Sequence, residues 1–177
     1  MYYTAGEYKQ LLSLLRIVAT TNEQVNDHIL SYFDKSGIAY ENRSLKTGDY
    51  SFRLDACSEL GISRSTYFTD ELFIERKNSL TELSGSLTNE AFHYELKRAR
   101  LIPRKFLLVE QDGNGWDSLR KGEYRTKYSQ KAFWAMLHHL EAEYDLHIKF
   151  VPKELMGLEI YSICKATLDS KIMKSSV

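Results

Sequence analysis

Residues 72–77 read Leu-Phe-Ile-Glu-Arg-Lys, three apolar side chains followed at once by three charged ones. Bulky apolar residues of this kind favour a β-strand, and side chains two positions apart on a strand point to the same face. We therefore expect Glu75 and Lys77 on one face and Arg76 on the other. A lone carboxylate-lysine pair is usually a solvated surface ion pair, so its meaning depends on the rest of the chain.

The sequence on both sides of this strand alternates between strand-like and helix-like patterns. Compact apolar runs predict strands, and amphipathic spacing predicts helices. The predicted strands are residues 14–19, 38–45, 49–52, 105–110 and 146–151, and the predicted helices are 24–36, one starting at 79, 90–100, 129–144 and 152–170. The polar stretch 53–70 is predicted to be a long loop, and the glycines of 112–115 a turn. This order indicates an α/β protein in which helices flank a central mixed sheet on both faces.

Composition limits the kinds of partner. The 177 residues contain 24 basic and 24 acidic side chains, so any nucleic-acid partner must be met by a local basic surface. Cys57 and Cys164 lie far apart without CxxC spacing, which predicts free thiols in a reducing cytosol. No apolar run approaches the ~20 residues of a membrane span, and the first residues lack a signal-peptide pattern. We expect a soluble cytoplasmic protein with no membrane partner.

A second carboxylate lies upstream, in Gly48-Asp49. We place this dipeptide at the corner of a hairpin, formed by residues 38–45 and 49–52, that leads into the 72–77 strand. Asp49 and Glu75 would then meet, and paired carboxylates suit a hard cation such as Mg²⁺. Such an ion polarises a phosphodiester and supplies hydroxide near neutral pH. Lys77 could orient the water or stabilise charge on the phosphate. This set resembles that of PD-(D/E)XK nucleases, which implies a restriction-endonuclease-like core.

Longer segments resemble the nuclease domain of XPF-type structure-specific endonucleases. They are GDYSF (48–52), FIERKNSL (73–80), LSGSL (83–87), KFLLVE (105–110) and AFWAMLHHLEAEYDLHIKFV (132–151). The resemblance extends from about residue 15 to 170 and is greatest to compact bacterial and phage members. It implies that residues 1–177 form a single nuclease domain with its core at about 15–170, without the helix-hairpin-helix module of larger members.

The resemblance also implies a function. It predicts a metal-dependent endonuclease that hydrolyses DNA phosphodiesters at branched or single-strand/double-strand junctions, in repair, recombination or phage DNA processing. Asp49, Glu75 and Lys77 would be catalytic, and Asp49, Glu75 and the backbone carbonyl of Arg76 would hold Mg²⁺ or Mn²⁺. The domain would act as a homodimer or with a targeting partner, in the cytoplasm of a bacterial or phage-infected cell.

Two departures from the family pattern leave an alternative open. The family has Asp-x-Arg-Glu at the end of its first strand, and here residues 20–23 read Thr-Thr-Asn-Glu, so only Glu23 remains as a supporting acid. The acid expected four residues after the lysine is replaced by Thr81. The neighbouring Glu82 could reach the site, although Ser79-x-x-Glu82 also predicts a capping box. The alternative is a catalytically impaired nuclease-fold protein that binds DNA or a protein. A restriction-type enzyme that cuts a specific duplex sequence would share the same chemistry.

Two basic stretches, 97–105 and 120–131, are candidates for DNA contact. Lysine and arginine hold phosphates and aromatic rings stack on bases, but such stretches are also ordinary solvated surfaces. Given the nuclease resemblance, we expect DNA contacts from a set drawn from both stretches: Lys97, Arg98, Arg125, Lys127, Tyr128 and Lys131. Arg76 could either pair with a core carboxylate or touch DNA.

Overall fold

The computed structural model describes residues 3–22 and 25–174. Its helices are α1 (Ala5–Ser13), α2 (Asp27–Ser36), α3 (Leu80–Ser86), α4 (Glu90–Arg98), α5 (Gly115–Lys121), α6 (Gln130–Tyr144) and α7 (Met156–Lys174). Its strands are β1 (Leu15–Ala19), β2 (Tyr40–Asn42), β3 (Tyr50–Leu54), β4 (Thr66–Tyr67), β5 (Leu72–Lys77), β6 (Arg104–Glu110) and β7 (Leu146–Val151). Single 3₁₀ turns occupy Ser58–Leu60, Ala99–Leu101 and Lys153–Leu155.

The strands form one mixed sheet in the order β2-β1-β3-β5-β6-β7, with β4 paired to β3. Strands β5, β6 and β7 are mutually parallel, whereas β3 is antiparallel to both β1 and β5. This arrangement confirms the predicted α/β fold with a mixed central sheet.

The predicted hairpin between residues 38–45 and 49–52 is wrong. Strand β1 lies between β2 and β3, so that Ile17 is level with Tyr40 on one side and Phe52 on the other. Helix α2 is the crossover that makes β2 parallel to β1, because parallel neighbours need a long connection. Asp49 nevertheless reaches Glu75, since β3 is the antiparallel neighbour of β5.

Two hydrophobic cores cover the two faces of the sheet, as predicted. Residues of α1, α2 and α7 pack on one face around Ile74, and residues of α3, α4, α5 and α6 pack on the other around Phe73. Adjacent residues of β5 therefore belong to different cores, which is the period-2 alternation of a strand.

Three elements differ from the sequence expectation. Helix α1 precedes β1, and the stretch 53–70 contains β4 and a 3₁₀ turn. Helix α5 begins in the stretch expected to be a turn, where Asn114 caps it by accepting from the backbone of Trp116 and Asp117. Gly115 is required there because a Cβ would lie 2.1 Å from the Phe150 ring.

An aromatic cluster joins α5, α6 and β7. Trp116 stacks on His138 with ring centroids 5.1 Å apart, and its centroid is 5.0 Å from that of Trp134. Phe150 meets Trp116 edge-on at 5.3 Å. Elsewhere, Cys57 and Cys164 are free thiols, as expected. Among the described residues, no helix combines the length and apolar character that crossing a membrane requires.

Candidate active site

Strand β5 carries the acid-x-lysine pair into the interior. Glu75 and Lys77 are only 7% and 9% exposed, and the Lys77 ammonium donates to Glu75 Oε1 at 2.6 Å. The ammonium also lies 5.1 Å from the centre of the Phe92 ring, on the α4 side of the sheet. The pair is therefore a buried feature rather than the solvated surface pair that its sequence alone would suggest.

Three carboxylates act on the Lys77 ammonium. Burial would lower the pKa of Lys77, but the charge and hydrogen bond of Glu75 outweigh it, and the charges of Asp49 and Glu82 add to the effect. The pKa of Lys77 is consequently raised. A cation that stays protonated suits charge stabilisation better than proton abstraction.

Asp49, the residue before β3, is held by hydrogen bonds to Thr20, Ile74 and Arg76. Its backbone N–H donates to the Ile74 carbonyl at 2.8 Å, and its own carbonyl accepts from the Thr20 N–H at 2.7 Å. Its side-chain Oδ2 accepts from the Arg76 backbone N–H at 2.8 Å. The preceding Gly48 has φ +77° and donates to Glu95 Oε1 at 2.8 Å. Asp49 is thus tied to β1 and β5 together.

Asp49, Glu75 and Lys77 line one cleft of about 410 Å³ between the sheet and helices α3 and α4. Among the residues that the structure describes, its ionisable lining consists of four acids and three bases, namely Asp49, Glu75, Glu82 and Glu95 against Lys46, Lys77 and Arg98. The excess of negative charge would repel a phosphate and favours a bound cation.

The donor set fits Mg²⁺ or Mn²⁺ better than a softer metal. Within residues 3–22 and 25–174, no three His, Cys, Asp or Glu side chains are grouped to hold a metal. A closed zinc-type cage needs such a group, whereas Mg²⁺ is commonly held by one or two carboxylates together with water and phosphate oxygens. Asp49 and Glu75 provide that sparse oxygen set.

Arg76 points into the opposite core. Its Nη1 donates to Glu110 Oε1 at 2.7 Å and its Nη2 to the Val25 carbonyl at 2.7 Å. His28 Nε2 lies 2.6 Å from the same Glu110 oxygen. Of the two alternatives left open for Arg76, this buried ion pair favours the core carboxylate over a contact with DNA. Sequence reasoning missed Glu110 and His28, because nothing in the local spacing indicates a pairing with a distant strand.

Of the two positions that lack the family's acids, Thr20 lines the cleft and Thr81 does not. Thr20 is 4% exposed and lines the cleft. Thr81 Oγ1 accepts from the Arg125 backbone N–H at 3.1 Å. Glu23, expected as a supporting acid, lies outside the described residues. Neutral threonines thus occupy two positions where a carboxylate was expected.

Glu82 has both a structural contact and a place at the site. Ser79 caps α3 by accepting from the Glu82 N–H at 3.1 Å, as predicted. The Glu82 carboxylate accepts from the Asn78 N–H at 2.7 Å rather than from Ser79, so the reciprocal half of the capping box is wrong. Its other oxygen lies 4.0 Å from the Lys77 ammonium, at the edge of the cleft.

The loop between α5 and α6 brings basic residues next to α3. Besides the Arg125 contact with Thr81, Thr126 Oγ1 donates to Ser84 Oγ at 2.9 Å. Arg125, Lys127 and Lys131 are exposed, and across the part of the chain that the structure describes none of them forms an ion pair. They remain candidates for phosphate contact.

The other expected DNA contacts are less favourable. The Tyr128 ring is half-buried and meets Phe133 edge-on at 5.9 Å, so it belongs partly to the core. Arg98 lines the cleft but pairs with Glu95 at 2.5 Å. Lys97 is exposed at the end of α4 and does not line the cleft.

Comparison with known proteins places this chain in a family. The sequence model of the ERCC4 domain matches residues 19–160, which include every residue of the cleft. No curated protein matches the sequence.

Solved structures share the fold. XPF from Aeropyrum pernix has a TM-score of 0.61 and 17% identity, with 86% of this chain and 65% of that chain covered. XPF from Aeropyrum pernix in complex with DNA has a TM-score of 0.61 and 18% identity, with 88% and 66% covered. The chain thus spans 65% and 66% of the length of these XPF chains. The fold is that of the XPF nuclease domain, and the chain belongs to the ERCC4 domain family.

Proposed function

We propose that this protein is a divalent-metal-dependent DNA endonuclease that cuts branched or single-strand/double-strand junction DNA. The observation that carries the proposal is the meeting of Asp49, Glu75 and a protonated Lys77 in one cleft with an excess of negative charge. Membership of the ERCC4 domain family supports the nuclease class, and the similar XPF structure in complex with DNA supports DNA as the substrate.

Each residue has a defined task in this proposal. Asp49 and Glu75, with the carbonyl of Arg76, hold Mg²⁺ or Mn²⁺, which when bound supplies Lewis acidity and an activated water. Lys77 orients the attacking water and stabilises charge that develops on the phosphate. Arg125, Lys127 and Lys131 hold the DNA backbone beside α3.

The cellular setting follows from the same family resemblance. The protein processes DNA in repair, recombination or phage DNA metabolism, in the cytoplasm of a bacterial or phage-infected cell. A second copy of the domain or a targeting partner provides the additional DNA contacts that junction recognition needs.

Cleavage of labelled flapped, forked and plain duplex DNA with Mg²⁺ or Mn²⁺ tests the proposal. We expect the wild type to cut the branched substrates, and Glu75→Gln to abolish cutting. Glu154→Gln is the matched control, because it removes an exposed carboxylate outside the cleft. Cutting by Glu75→Gln at the wild-type rate would refute the assigned centre. Cutting of plain duplex at one sequence alone would indicate the restriction-type reading instead.

A second function is favoured by one specific observation. Thr20 and Thr81 are neutral where acids were expected, and Thr81 is engaged by the Arg125 backbone. A non-catalytic nuclease-fold protein would still bind junction DNA but leave it uncut with either metal. Binding without cleavage would therefore support this alternative.

A further inference from the structure

A second pocket adjoins the cleft, on the side of the β2–β3 connection. It has a volume of about 210 Å³ and lies between residues 43–47 and the segment that follows β4. Leu45 and Lys46 line both this pocket and the cleft, so the two are continuous. None of the catalytic or DNA-contact residues expected from the sequence lines the pocket.

An arginine is held in place at this pocket by an aromatic ring. The Arg43 guanidinium carbon lies 4.6 Å from the centre of the Tyr67 ring, and Arg43 Nη1 donates to the Tyr67 hydroxyl at 2.5 Å. The Tyr67 hydroxyl in turn donates to Glu41 Oε1 at 3.2 Å. Because the guanidinium is already oriented, less rotamer entropy is lost when it binds a ligand.

The charges of the pocket favour an anion. In residues 3–22 and 25–174, neither Arg43 nor Lys46 forms an ion pair, whereas the nearby Arg53 pairs with Glu41 at 2.9 Å. Asp70 is the one carboxylate among the described lining residues and is exposed. Two cations therefore face one acid here, while the adjoining cleft has the opposite balance.

We propose that this pocket binds an unpaired nucleotide of a single-stranded DNA arm as the arm leaves the cleft. Arg43 and Lys46 contact its phosphates, and the base stacks on the Arg43–Tyr67 pair, since bases stack on guanidinium planes and aromatic rings alike. A base within a duplex is covered by its neighbours and cannot stack in this way. The inference rests on the proposed function, and it places the single-stranded arm of the branched substrate at this pocket.

A matched pair of double variants tests the charge contribution. Fluorescence anisotropy in EDTA, where no cutting occurs, would compare binding of forked DNA with binding of a blunt duplex of equal length. We expect Arg43→Ala/Lys46→Ala to weaken fork binding about tenfold and to weaken duplex binding clearly less, since only Lys46 of the two also lines the cleft. For the fork, the slope of log K against log salt concentration should become shallower by about 1.4, because the contacts to two phosphates of a single strand are lost.

The control is Lys9→Ala/Lys35→Ala. It removes two exposed charges from α1 and α2, at the opposite end of β1 and β2 from the pocket. The control should bind both DNAs like the wild type. Equal weakening of fork and duplex by the pocket variant would overturn the single-strand assignment, and no weakening of either would overturn the site.

Variants of Tyr67 test the stacking contribution. Tyr67→Phe keeps the ring and should bind the fork within about twofold of wild type, whereas Tyr67→Leu should lose about tenfold. Thermal melting of each variant checks that it is folded, and equal binding by the two variants would refute stacking. The cleavage assay separates the two proposals. If the wild type cuts none of the DNA substrates but the pocket variant still loses binding to the fork alone, the nuclease function is refuted and the pocket assignment stands.

Discussion

Replacing Gly48 with alanine should weaken both the fold and the metal centre. Gly48 has φ +77°, a left-handed conformation that costs a non-glycine residue about 1–2 kcal/mol. The added Cβ would lie 2.9 Å from a Phe73 ring carbon and 3.1 Å from the Ile74 carbonyl oxygen, and such crowding typically costs about 1–3 kcal/mol. We expect the free energy of unfolding to fall by about 2–5 kcal/mol.

The crowding acts directly on the bond that positions Asp49. The Ile74 carbonyl that the new Cβ approaches accepts the Asp49 N–H at 2.8 Å. Metal affinity, measured by calorimetric titration, should therefore fall in the fraction of Gly48→Ala that remains folded. Urea unfolding followed by far-UV circular dichroism measures the stability change.

Gly85→Ala is the matched control. Gly85 is exposed in α3, and a Cβ there meets nothing within 4 Å. The substitution should stabilise the protein by about 0.5–1 kcal/mol, because alanine is the better helix former. An unfolding midpoint for Gly48→Ala equal to the wild type, together with unchanged metal affinity, would refute the reasoning.

Three further substitutions have defined outcomes. Asp49→Asn should stay folded, since the amide oxygen can still accept from the Arg76 N–H, but should lose metal binding; unchanged binding in calorimetry would place the metal elsewhere. Thr81→Asp should raise the cleavage rate by up to about tenfold, with Thr81→Asn as the uncharged control; no change would mean that another acid already fills the role. Glu110→Ala removes the carboxylate that accepts from the buried Arg76 Nη1 at 2.7 Å and should cost about 1.5–3 kcal/mol in urea unfolding, the usual loss for a hydrogen bond to a charged group; a loss below about 1 kcal/mol would contradict this.

The parts of the fold that depend on local pattern could be predicted from the sequence. The alternation in residues 72–77 correctly separated Glu75 and Lys77 from Arg76, because strand geometry depends only on adjacent residues. Helix α6 begins at its predicted cap, Ser129, for the same reason. The mixed sheet and its two covered faces follow from the order of such elements.

The parts that failed depend on contacts between distant segments. The hairpin before Asp49 was wrong because β1 inserts between β2 and β3, and no local spacing reports that pairing. Helix α5 was missed because Gly115 resembles a turn residue, although Phe150, 35 positions further along the chain, is what requires it. The partner of Arg76 is likewise on another strand.

The clustering of both tryptophans at the junction of α5, α6 and β7 determines what optical spectroscopy can detect. The chain has two tryptophans, and their rings lie 5.0 Å apart. Intrinsic emission therefore reports on one side of the sheet, while the α1, α2 and α7 side is spectroscopically silent at tryptophan wavelengths. Because Trp116 stacks on His138 and meets Phe150 edge-on, a local rearrangement of these rings should change the emission intensity even when the rest of the fold is intact. A change in tryptophan fluorescence would thus describe this junction and not unfolding of the whole molecule.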